Sequence, residues 1–453
     1  MTAAPGCSCC VRVSSSAGSL CNDRSIAMRR VGFILCASLV VVVAAAGVGA
    51  QPAQKVRPPE DKGGHVADEV LVAFRDKDHA HAVARAVGAR VGRVLEGLGV
   101  YVLKVPAGSV EGTVRALTHN PMVEYAEPNG YLHAFVTPDD PYLSSCYTTS
   151  HDGCVIQWSW ATVNAYGAWD VTTGSASVRV AVVDTGIDVG DPNYPYFPDL
   201  TGHEDIVSCQ SPIIKSFVSG ESGDDDNGHG THVAGIIGAC ANNSRGVAGA
   251  NWSVQLMGVK VLDYSGSGTL SAVASGIRWA ADNGAKVINL SLGTSTPYKT
   301  LERAVNYAWN KGAVLACAAG NDGSTARTYP AAYTNCIAVA ATDATDTKAS
   351  FSSYGADWVD VAAPGVAILS TVQDDFNWCF LCYWYGYNPG YDALSGTSMA
   401  APHVAGLAAL VWATGKCATN SCVRSQIEST ADQITGTGSY WRWGRVNYYN
   451  AVK

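Results

Sequence analysis

The 453-residue sequence predicts an α/β fold, a doubly wound and mostly parallel sheet with flanking helices, preceded by a small α+β domain. In residues 140–453, short apolar runs typical of strands alternate with helical segments, and strands joined by crossover helices form parallel sheets. Residues 65–131 carry a separate β-α-β-α-β pattern. Apolar residues make up 47% of the chain and charged residues 15%, which supports a large buried core and excludes a disordered tail protein. The net charge of −8 argues against broad binding to nucleic acid.

Residues 1–50 read as an upstream extension and an export signal. Met28-Arg29-Arg30 precede an apolar run over residues 31–50 that ends in small residues, which predicts cleavage after Ala50 and secretion. The alternative is an N-terminal membrane anchor, because ~20 apolar residues can span a bilayer. Translation beginning at Met1 or at Met28 is left open. Residues 51–64, rich in Pro, Lys and Gly, are predicted to be a linker.

The pattern over residues 65–131 fits a small ferredoxin-like sandwich of strands and helices. A short exposed stretch, residues 132–139, follows it and is predicted to be a processing region. The predicted strands are Glu69–Phe74, Val100–Val105 and Met122–Ala126, with a weaker one at Arg90–Leu95, and the predicted helices are His79–Val87 and Val110–His119.

The larger domain is predicted over residues 140–453, with ligands expected at the carboxyl ends of its parallel strands. Its predicted strands are Val178–Val183, Val254–Val261, Ala285–Leu290, Ala313–Ala318, Ile337–Ala340 and Asp360–Val361. Its predicted helices are Val233–Ala239, Leu270–Asp282, Tyr298–Lys311 and Met399–Ala413.

Three motifs in this domain carry groups suited to nucleophilic catalysis. Asp184 ends an apolar strand, His229 stands where a glycine-flanked loop enters a helix, and Ser398 begins an Ala-rich helix. A hydroxyl is a poor nucleophile until a base removes its proton, and a buried carboxylate can orient that base. Taken singly, each residue is more often a turn residue, a structural histidine or a helix N-cap.

Together, in the order Asp, His, Ser and with these flanking residues, the motifs resemble the subtilisin-like serine proteases. Residues 266–269 (GSGT), 308–312 (AWNKG) and 354–355 (YG) favour the thermitase branch, and residues 65–131 resemble the propeptide of the family, a folding chaperone and inhibitor. The resemblance implies a subtilisin-like fold and a secreted serine endopeptidase made as a zymogen. Its expected partners are protein or peptide substrates and its own propeptide, with no nucleic acid, no stable membrane association and a monomeric state.

The resemblance also implies a role for each catalytic residue. Ser398 would be the nucleophile, His229 the general base and then acid, and Asp184 the group that orients the imidazolium. Asn321 and the backbone N–H of Ser398 would stabilise the oxyanion. A non-proteolytic serine hydrolase or a peptide ligase with the same triad, and a non-catalytic binding protein, are the alternatives. A lipase or esterase would instead carry Gly-x-Ser-x-Gly and the order Ser, Asp, His.

Substrate binding is implied for two segments that would pair with an extended peptide, Gly266-Ser267-Gly268 and Ser291-Leu292-Gly293. A small, uncharged pocket would favour an apolar side chain before the cut. Its expected walls are Ser291, Leu292, Gly293, Ala318, Ala319, Gly320 and Thr328. The aromatic-rich segment 374–391 departs from the family pattern; it is predicted either to border the site for residues after the cut or to be a covered surface loop.

A structural Ca²⁺ is the expected cofactor, since hard oxygen ligands suit this ion. The implied ligands are the side chains of Asp140, Asp199 and Asn243 and the carbonyls of Cys240, Arg245 and Val247. A second ion near residues 216–226 is left open: Ser216 stands where an Asp is expected, although Asp224-Asp225-Asp226 could compensate.

Of the fifteen cysteines, five precede the predicted cleavage site and ten follow residue 138, so an odd number becomes even in the mature enzyme. Exported proteins commonly pair such residues. Short spacing favours Cys146–Cys154 and Cys417–Cys422, while Cys317–Cys336 requires neighbouring strands. The residues Cys379 and Cys382 are predicted to form a loop disulfide, with a metal or redox motif as the alternative.

Overall fold

The computed structural model describes residues 65–130, 137–190, 201–375 and 379–453. These residues fall into two compact units that divide at Gly130. The predicted signal and linker, residues 132–136 of the predicted processing region, and Asp199 lie outside the described residues. Within the described ranges, no helix is long and apolar enough to cross a membrane.

The first unit is a four-stranded antiparallel sheet in the order β2-β3-β1-β4 with two helices. Helix α2 buries Val110, Thr113 and Leu117, a spacing that gives it one apolar face for the sheet. The weakly predicted strand at Arg90–Leu95 forms the edge of the sheet, which explains why its side chains are mostly exposed. The elements are β1 His65–Phe74, α1 Ala80–Ala86, β2 Arg90–Leu95, β3 Val100–Lys104, α2 Val110–Thr118 and β4 Val123–Gly130.

The second unit is built on an eight-stranded sheet in the order β16-β13-β12-β11-β10-β7-β9-β8, and all its strand pairs are parallel. Two short antiparallel hairpins, β5-β6 and β14-β15, accompany it. The strands are β5 Tyr147–Thr148, β6 Cys154–Val155, β7 Gly174–Asp184, β8 Ile213–Ser216, β9 Ser253–Lys260, β10 Val287–Leu290, β11 Val314–Ala318, β12 Ile337–Thr342, β13 Val361–Pro364, β14 Ile368–Val372, β15 Gly390–Leu394 and β16 Gly444–Arg445.

Helices cover both faces of this sheet, so its central strands are buried on both sides. In β7, Val180 and Val182 join the core layer that contains α6 and α10, while Ala181 and Val183 join the layer that contains α7 and α8. The helices are α3 Ser159–Thr162, α4 Ala165–Trp169, α5 Glu204–Val207, α6 His229–Gly238, α7 Leu270–Asp282, α8 Lys299–Asn310, α9 Phe380–Tyr385, α10 Thr397–Ala413, α11 Asn420–Ser429 and α12 Tyr448–Val452. The predicted α/β class is confirmed.

The position of β7 fixes where a ligand site can form. β9 pairs with one side of β7 and β10 with the other, so the strand order reverses at β7. Such a switch point opens a crevice at the carboxyl ends of the strands. Asp184 ends β7, and Ser291 directly follows β10 at the same edge.

Disulfides join all ten cysteines after residue 138. The four predicted pairs are present, and Cys379–Cys382 is therefore a disulfide and not a metal motif. The fifth pair, Cys209–Cys240, spans 31 residues and ties α5 to the end of α6. Sequence spacing gave no indication of this pair.

Candidate active site

Asp184 and His229 form a direct pair at the carboxyl end of β7. Nδ1 of His229 lies 2.7 Å from Oδ1 of Asp184, and the same oxygen accepts the Thr185 N–H at 2.8 Å. Asp184 is fully buried, whereas the His229 side chain is 22% exposed. Burial lowers the pKa of His229, but the charge and hydrogen bond of Asp184 outweigh it and hold that pKa above its ordinary value. The pair leaves Nε2 of a neutral imidazole free to accept a proton.

A buried carboxylate, Asp225, holds the loop that carries this histidine. Its Oδ1 accepts the Thr185 hydroxyl at 2.8 Å and the N–H groups of Asn227 and Gly228 at 3.0 Å. Its Oδ2 accepts the N–H and hydroxyl of Thr231 at 2.8 and 2.6 Å. Asp225 thus links the end of β7 to the first turn of α6. Sequence reasoning missed it, because Asp225 was considered only with Asp224 and Asp226, as possible compensation for Ser216 at a second calcium site.

Ser398 stands in the first turn of α10, which begins two residues earlier than predicted. Its hydroxyl donates to the Ser291 carbonyl at 3.2 Å, and the Ser291 hydroxyl donates to the Ser398 carbonyl at 2.7 Å. These reciprocal bonds fix the start of α10 against the end of β10. The proposed nucleophile is therefore held at the same sheet edge as Asp184.

Asn321 and the Ser398 N–H face one small volume beside the serine. The Asn321 side-chain oxygen accepts the N–H and hydroxyl of Thr397 at 2.9 and 3.0 Å, which leaves its NH₂ group as a donor on the other side. A β-carbon built on Gly396 would lie 3.4 Å from Asn321 Nδ2 and 3.6 Å from Ser398 N. The glycine keeps this volume open, and two convergent donors can stabilise a developing negative charge there.

Beside this volume lies a pocket of about 290 Å³ that opens next to the serine. Ala319 was expected in its wall, but this residue is fully buried and belongs to the core layer of α7 and α8. The other expected wall residues line the pocket together with Asn321 and Ser398: Ser291, Leu292, Gly293, Ala318, Gly320 and Thr328.

A second, larger cleft of about 820 Å³ contains His229 and shares residues 291–294 with the pocket. Gly266, Ser267 and Gly268 line the same cleft, so the two segments expected to pair with an extended peptide border one groove. Four side chains of the aromatic insertion also line this cleft: Phe380, Leu381, Tyr385 and Tyr387. The insertion therefore borders the cleft that contains His229, and which side of the cut it meets stays a prediction.

Two buried carboxylates, Asp140 and Asp205, accept hydrogen bonds from the loop expected to bind calcium, residues 240–247. Asp140 accepts the Asn242 N–H at 2.7 Å, and Asp205 accepts Nδ2 of Asn243 at 2.7 Å and the Val247 N–H at 2.8 Å. Burial, and then the charge of Asp140, raise the pKa of Asp205 to about 6. The described residues contain no group of three or more His, Cys, Asp or Glu side chains that could hold a metal, so amide and carbonyl oxygens would have to complete the ligand set. Asp205 was not predicted, and Asp199 lies outside the described residues.

The region near residues 216–226, considered for a second calcium ion, already contains a buried cation. Nζ of Lys260 donates to the Thr185 carbonyl at 2.7 Å and to Asp226 at 2.6 Å, and it lies 3.2 Å from Glu221. Lys260 is fully buried. Because the ammonium group neutralises these carboxylates, the structure gives no support for a second calcium ion at this place.

Fold and site together define a class: a serine hydrolase whose Asp–His pair and serine lie at the same edge of a doubly wound parallel sheet, near its switch point. The chain belongs to the subtilase family. Residues 175–444 match the peptidase S8 model described as "Subtilase family", and residues 51–129 match the model described as "Fervidolysin N-terminal prodomain".

Curated relatives and a solved structure agree with this assignment. The chain is 45% identical over 410 residues to a thermophilic serine proteinase of Bacillus sp. (strain AK1), covering 88% of this chain and 90% of the relative. It is 48% identical over 318 residues to thermitase of Thermoactinomyces vulgaris, covering 70% and 99%. A solved protease from Pseudoalteromonas arctica superposes with a TM-score of 0.58 at 30% identity, covering 70% and 99%. The predicted thermitase-branch resemblance and serine endopeptidase activity are confirmed, and the N-terminal domain is a prodomain of this family.

Proposed function

We propose that Asp184, His229 and Ser398 form the catalytic triad. Nε2 of His229 takes the proton of the Ser398 hydroxyl as its oxygen attacks the carbonyl carbon of a peptide bond. The C–N bond then breaks, His229 returns the proton to the leaving amine, and an acyl-enzyme remains on Ser398. Water activated by His229 hydrolyses that ester. The 2.7 Å bond between His229 and Asp184 is the observation that carries this proposal.

In this mechanism the oxyanion lies between Asn321 Nδ2 and the Ser398 N–H. Both donors approach the volume beside Gly396, and the Asn321 amide is oriented before any substrate arrives by its two bonds from Thr397. Donors fixed in advance need no reorganisation as charge develops, and each is worth roughly 3–4 kcal/mol in the transition state.

The pocket beside Ser398 supports a preference for an apolar side chain before the cut. Its walls are glycine, small residues and Leu292, and the one charged residue along it is Asp322, which is exposed. An extended substrate would pair with residues 266–268 and 291–293. Cleavage of a peptide panel after Phe, Tyr, Leu or Met is expected, and cleavage only after Arg or Lys would contradict this specificity.

The enzyme is proposed to be secreted and to mature by self-cleavage within residues 131–139. The proposed layout is residues 1–50 as leader, 51–64 as linker, 65–131 as propeptide and 140–453 as a monomeric peptidase. Support comes from the separate core of the first unit, which includes Val70, Leu103 and Leu117, and from the apolar run that ends at Ala50.

We propose one structural Ca²⁺ in the loop of residues 240–247. Asp140, Asp205 and the Asn243 amide would supply side-chain oxygens, and the carbonyls of Cys240, Arg245 and Val247 the remainder. Two neighbouring buried carboxylates repel each other, and a cation removes that repulsion. An ion bound here would take the Asn243 amide with its oxygen inward and would stabilise the loop.

The test is Ser398→Ala in the full chain. It is expected to abolish casein hydrolysis and to leave the propeptide attached, because both reactions use the same nucleophile. Ser395→Ala is the matched control, since the Ser395 hydroxyl is exposed and accepts the Ala367 N–H at 2.8 Å. Retained hydrolysis or normal maturation in Ser398→Ala would refute the mechanism.

A further inference from the structure

The aromatic segment of residues 379–387 plays no part in the proposed triad. The Cys379–Cys382 disulfide closes the first turn of α9, and the helix itself reads Phe-Leu-Cys-Tyr-Trp-Tyr. Tyr383, Trp384 and Tyr385 are 60%, 68% and 60% exposed. Such a concentration of exposed aromatic surface commonly marks a binding site.

This segment is fixed on the residues that precede the catalytic histidine. The Phe380 N–H donates to the Asp226 carbonyl at 3.3 Å, and the Leu381 N–H donates to the Asn227 carbonyl at 3.0 Å. A β-carbon built on Gly228 would lie 3.2 Å from Cys379 Sγ, so the disulfide packs directly on this loop. The aromatic segment and His229 are therefore held in one arrangement.

The aromatic segment also lines the substrate groove where that groove contains His229. Phe380, Leu381, Tyr385 and Tyr387 line the 820 Å³ cleft together with His229. The ring of Phe380 meets that of Tyr264 edge-on at 5.7 Å, and Asn227 Nδ2 donates to the Tyr264 carbonyl at 2.7 Å. These contacts join the aromatic segment to the groove wall at residues 266–268.

The geometry of an extended substrate indicates which of its side chains can contact the aromatic segment. Successive side chains of an extended peptide point to opposite faces and are about 3.3 Å apart along the strand. When the residue before the cut enters the pocket with Thr328, the side chain of the preceding residue points away from that pocket. The described groove available to it there is the 820 Å³ cleft, which His229 and Leu381 line.

We propose that residues 379–387 form a specificity wall for the second substrate residue before the cut and favour a large apolar side chain there. This inference rests on the proposed function, because the position of the cut is set by Ser398 and His229. Phe380 and Leu381 supply the apolar contact, Tyr385 and Tyr387 extend it outwards, and the disulfide keeps the wall on the histidine loop.

The experiment uses the mature enzyme and peptides that share Leu at the residue before the cut. The second residue is varied through Gly, Lys, Glu, Leu and Phe, and kcat/KM is measured for each. The wild type is expected to prefer Phe over Gly by about tenfold or more, the range for added apolar contact in a pocket. Phe380→Ala is expected to reduce that Phe-to-Gly ratio several-fold, and Tyr385→Ala provides a second, more exposed variant should the first not fold.

Tyr383→Ala is the matched control, because this residue lies on the same helix but does not line the cleft. It is expected to keep the wild-type ratio. If Phe380→Ala and Tyr385→Ala both keep the wild-type Phe-to-Gly ratio of kcat/KM, the proposed specificity wall is wrong. A wild type that hydrolyses every peptide without preference at this residue would also overturn it while leaving the proposed function intact. Absence of any Ser398-dependent hydrolysis would instead contradict the proposed function.

Discussion

Adding a single methyl group to Gly396 should remove most of the catalysis without unfolding the enzyme. The β-carbon of Gly396→Ala would lie 3.4 Å from Asn321 Nδ2 and 3.6 Å from Ser398 N. A substrate oxyanion needs to lie 2.7–3.1 Å from the same two donors, so methyl group and oxyanion compete for one volume. Loss of one such donor typically lowers kcat by about 10²–10³, and the methyl group affects both.

Stability should change little in this variant. The backbone at Gly396 is extended, with φ of 164°, a conformation open to any residue, and the new contacts are of ordinary van der Waals length. A Gly-to-Ala change without strain alters the free energy of unfolding by less than about 1 kcal/mol. Measuring thermal unfolding and, on a chromogenic peptide, kcat of the same variant separates the effect on stability from the effect on catalysis.

A double variant tests whether the methyl group acts at the proposed oxyanion volume. If it does, Gly396→Ala combined with Asn321→Ala should lose scarcely more kcat than the worse single variant, because the second change removes a donor already blocked. Independent, multiplying losses would show that the methyl group does not act at the oxyanion volume. A Gly396→Ala enzyme with wild-type kcat would refute the prediction more simply.

Three further predictions follow from the electrostatics of the site. Since Asp184 holds the pKa of His229 above its ordinary value and the base must be neutral, kcat/KM should fall as pH decreases through that raised pKa. In Asp184→Asn the inflection should move to lower pH, and an unmoved inflection would argue against the Asp184–His229 pair. Asp225→Asn replaces a carboxylate oxygen that accepts two hydrogen bonds with an NH₂ donor. It should therefore cost about 1–3 kcal/mol of stability per unsatisfied group and lower kcat. An unchanged Tm in calorimetry would contradict the role of Asp225 in holding the histidine loop. A calcium chelator should lower the Tm of the wild type. Asp205→Asn should have a lower Tm than the wild type, and chelator should change it less. A wild-type Tm that chelator leaves unchanged would contradict the calcium proposal.

Strands and helices with strong local patterns were predictable from the sequence. The buried run of β7 and the helix α7 were predicted closely, because apolar periodicity is a local signal. The edge strands β8 and β16 were missed, since four and two residues carry little pattern. The β14-β15 hairpin was also missed, because an aromatic insertion separates its strands.

The residues of the candidate site also divide into those that the sequence predicts and those that only the tertiary structure brings into place. Asp184, His229 and Ser398 stand in glycine-rich motifs that sequence reasoning identifies by their order. Asp225 could not be assigned, because its role depends on Thr185, which lies 40 residues away in the chain. The wall at Phe380 and the carboxylate of Asp205 depend on tertiary packing, and no spacing rule predicts either.

The most direct test of the central claim locates the nucleophile chemically. The mature enzyme is treated with a fluorophosphonate, which loses fluoride as it forms a bond to an activated serine oxygen, and the labelled peptide is identified by mass spectrometry. One label per molecule is expected, on Ser398, with activity lost in proportion to labelling. Stoichiometric inactivation with the label on another serine, or full activity in enzyme labelled at Ser398, would contradict the central claim.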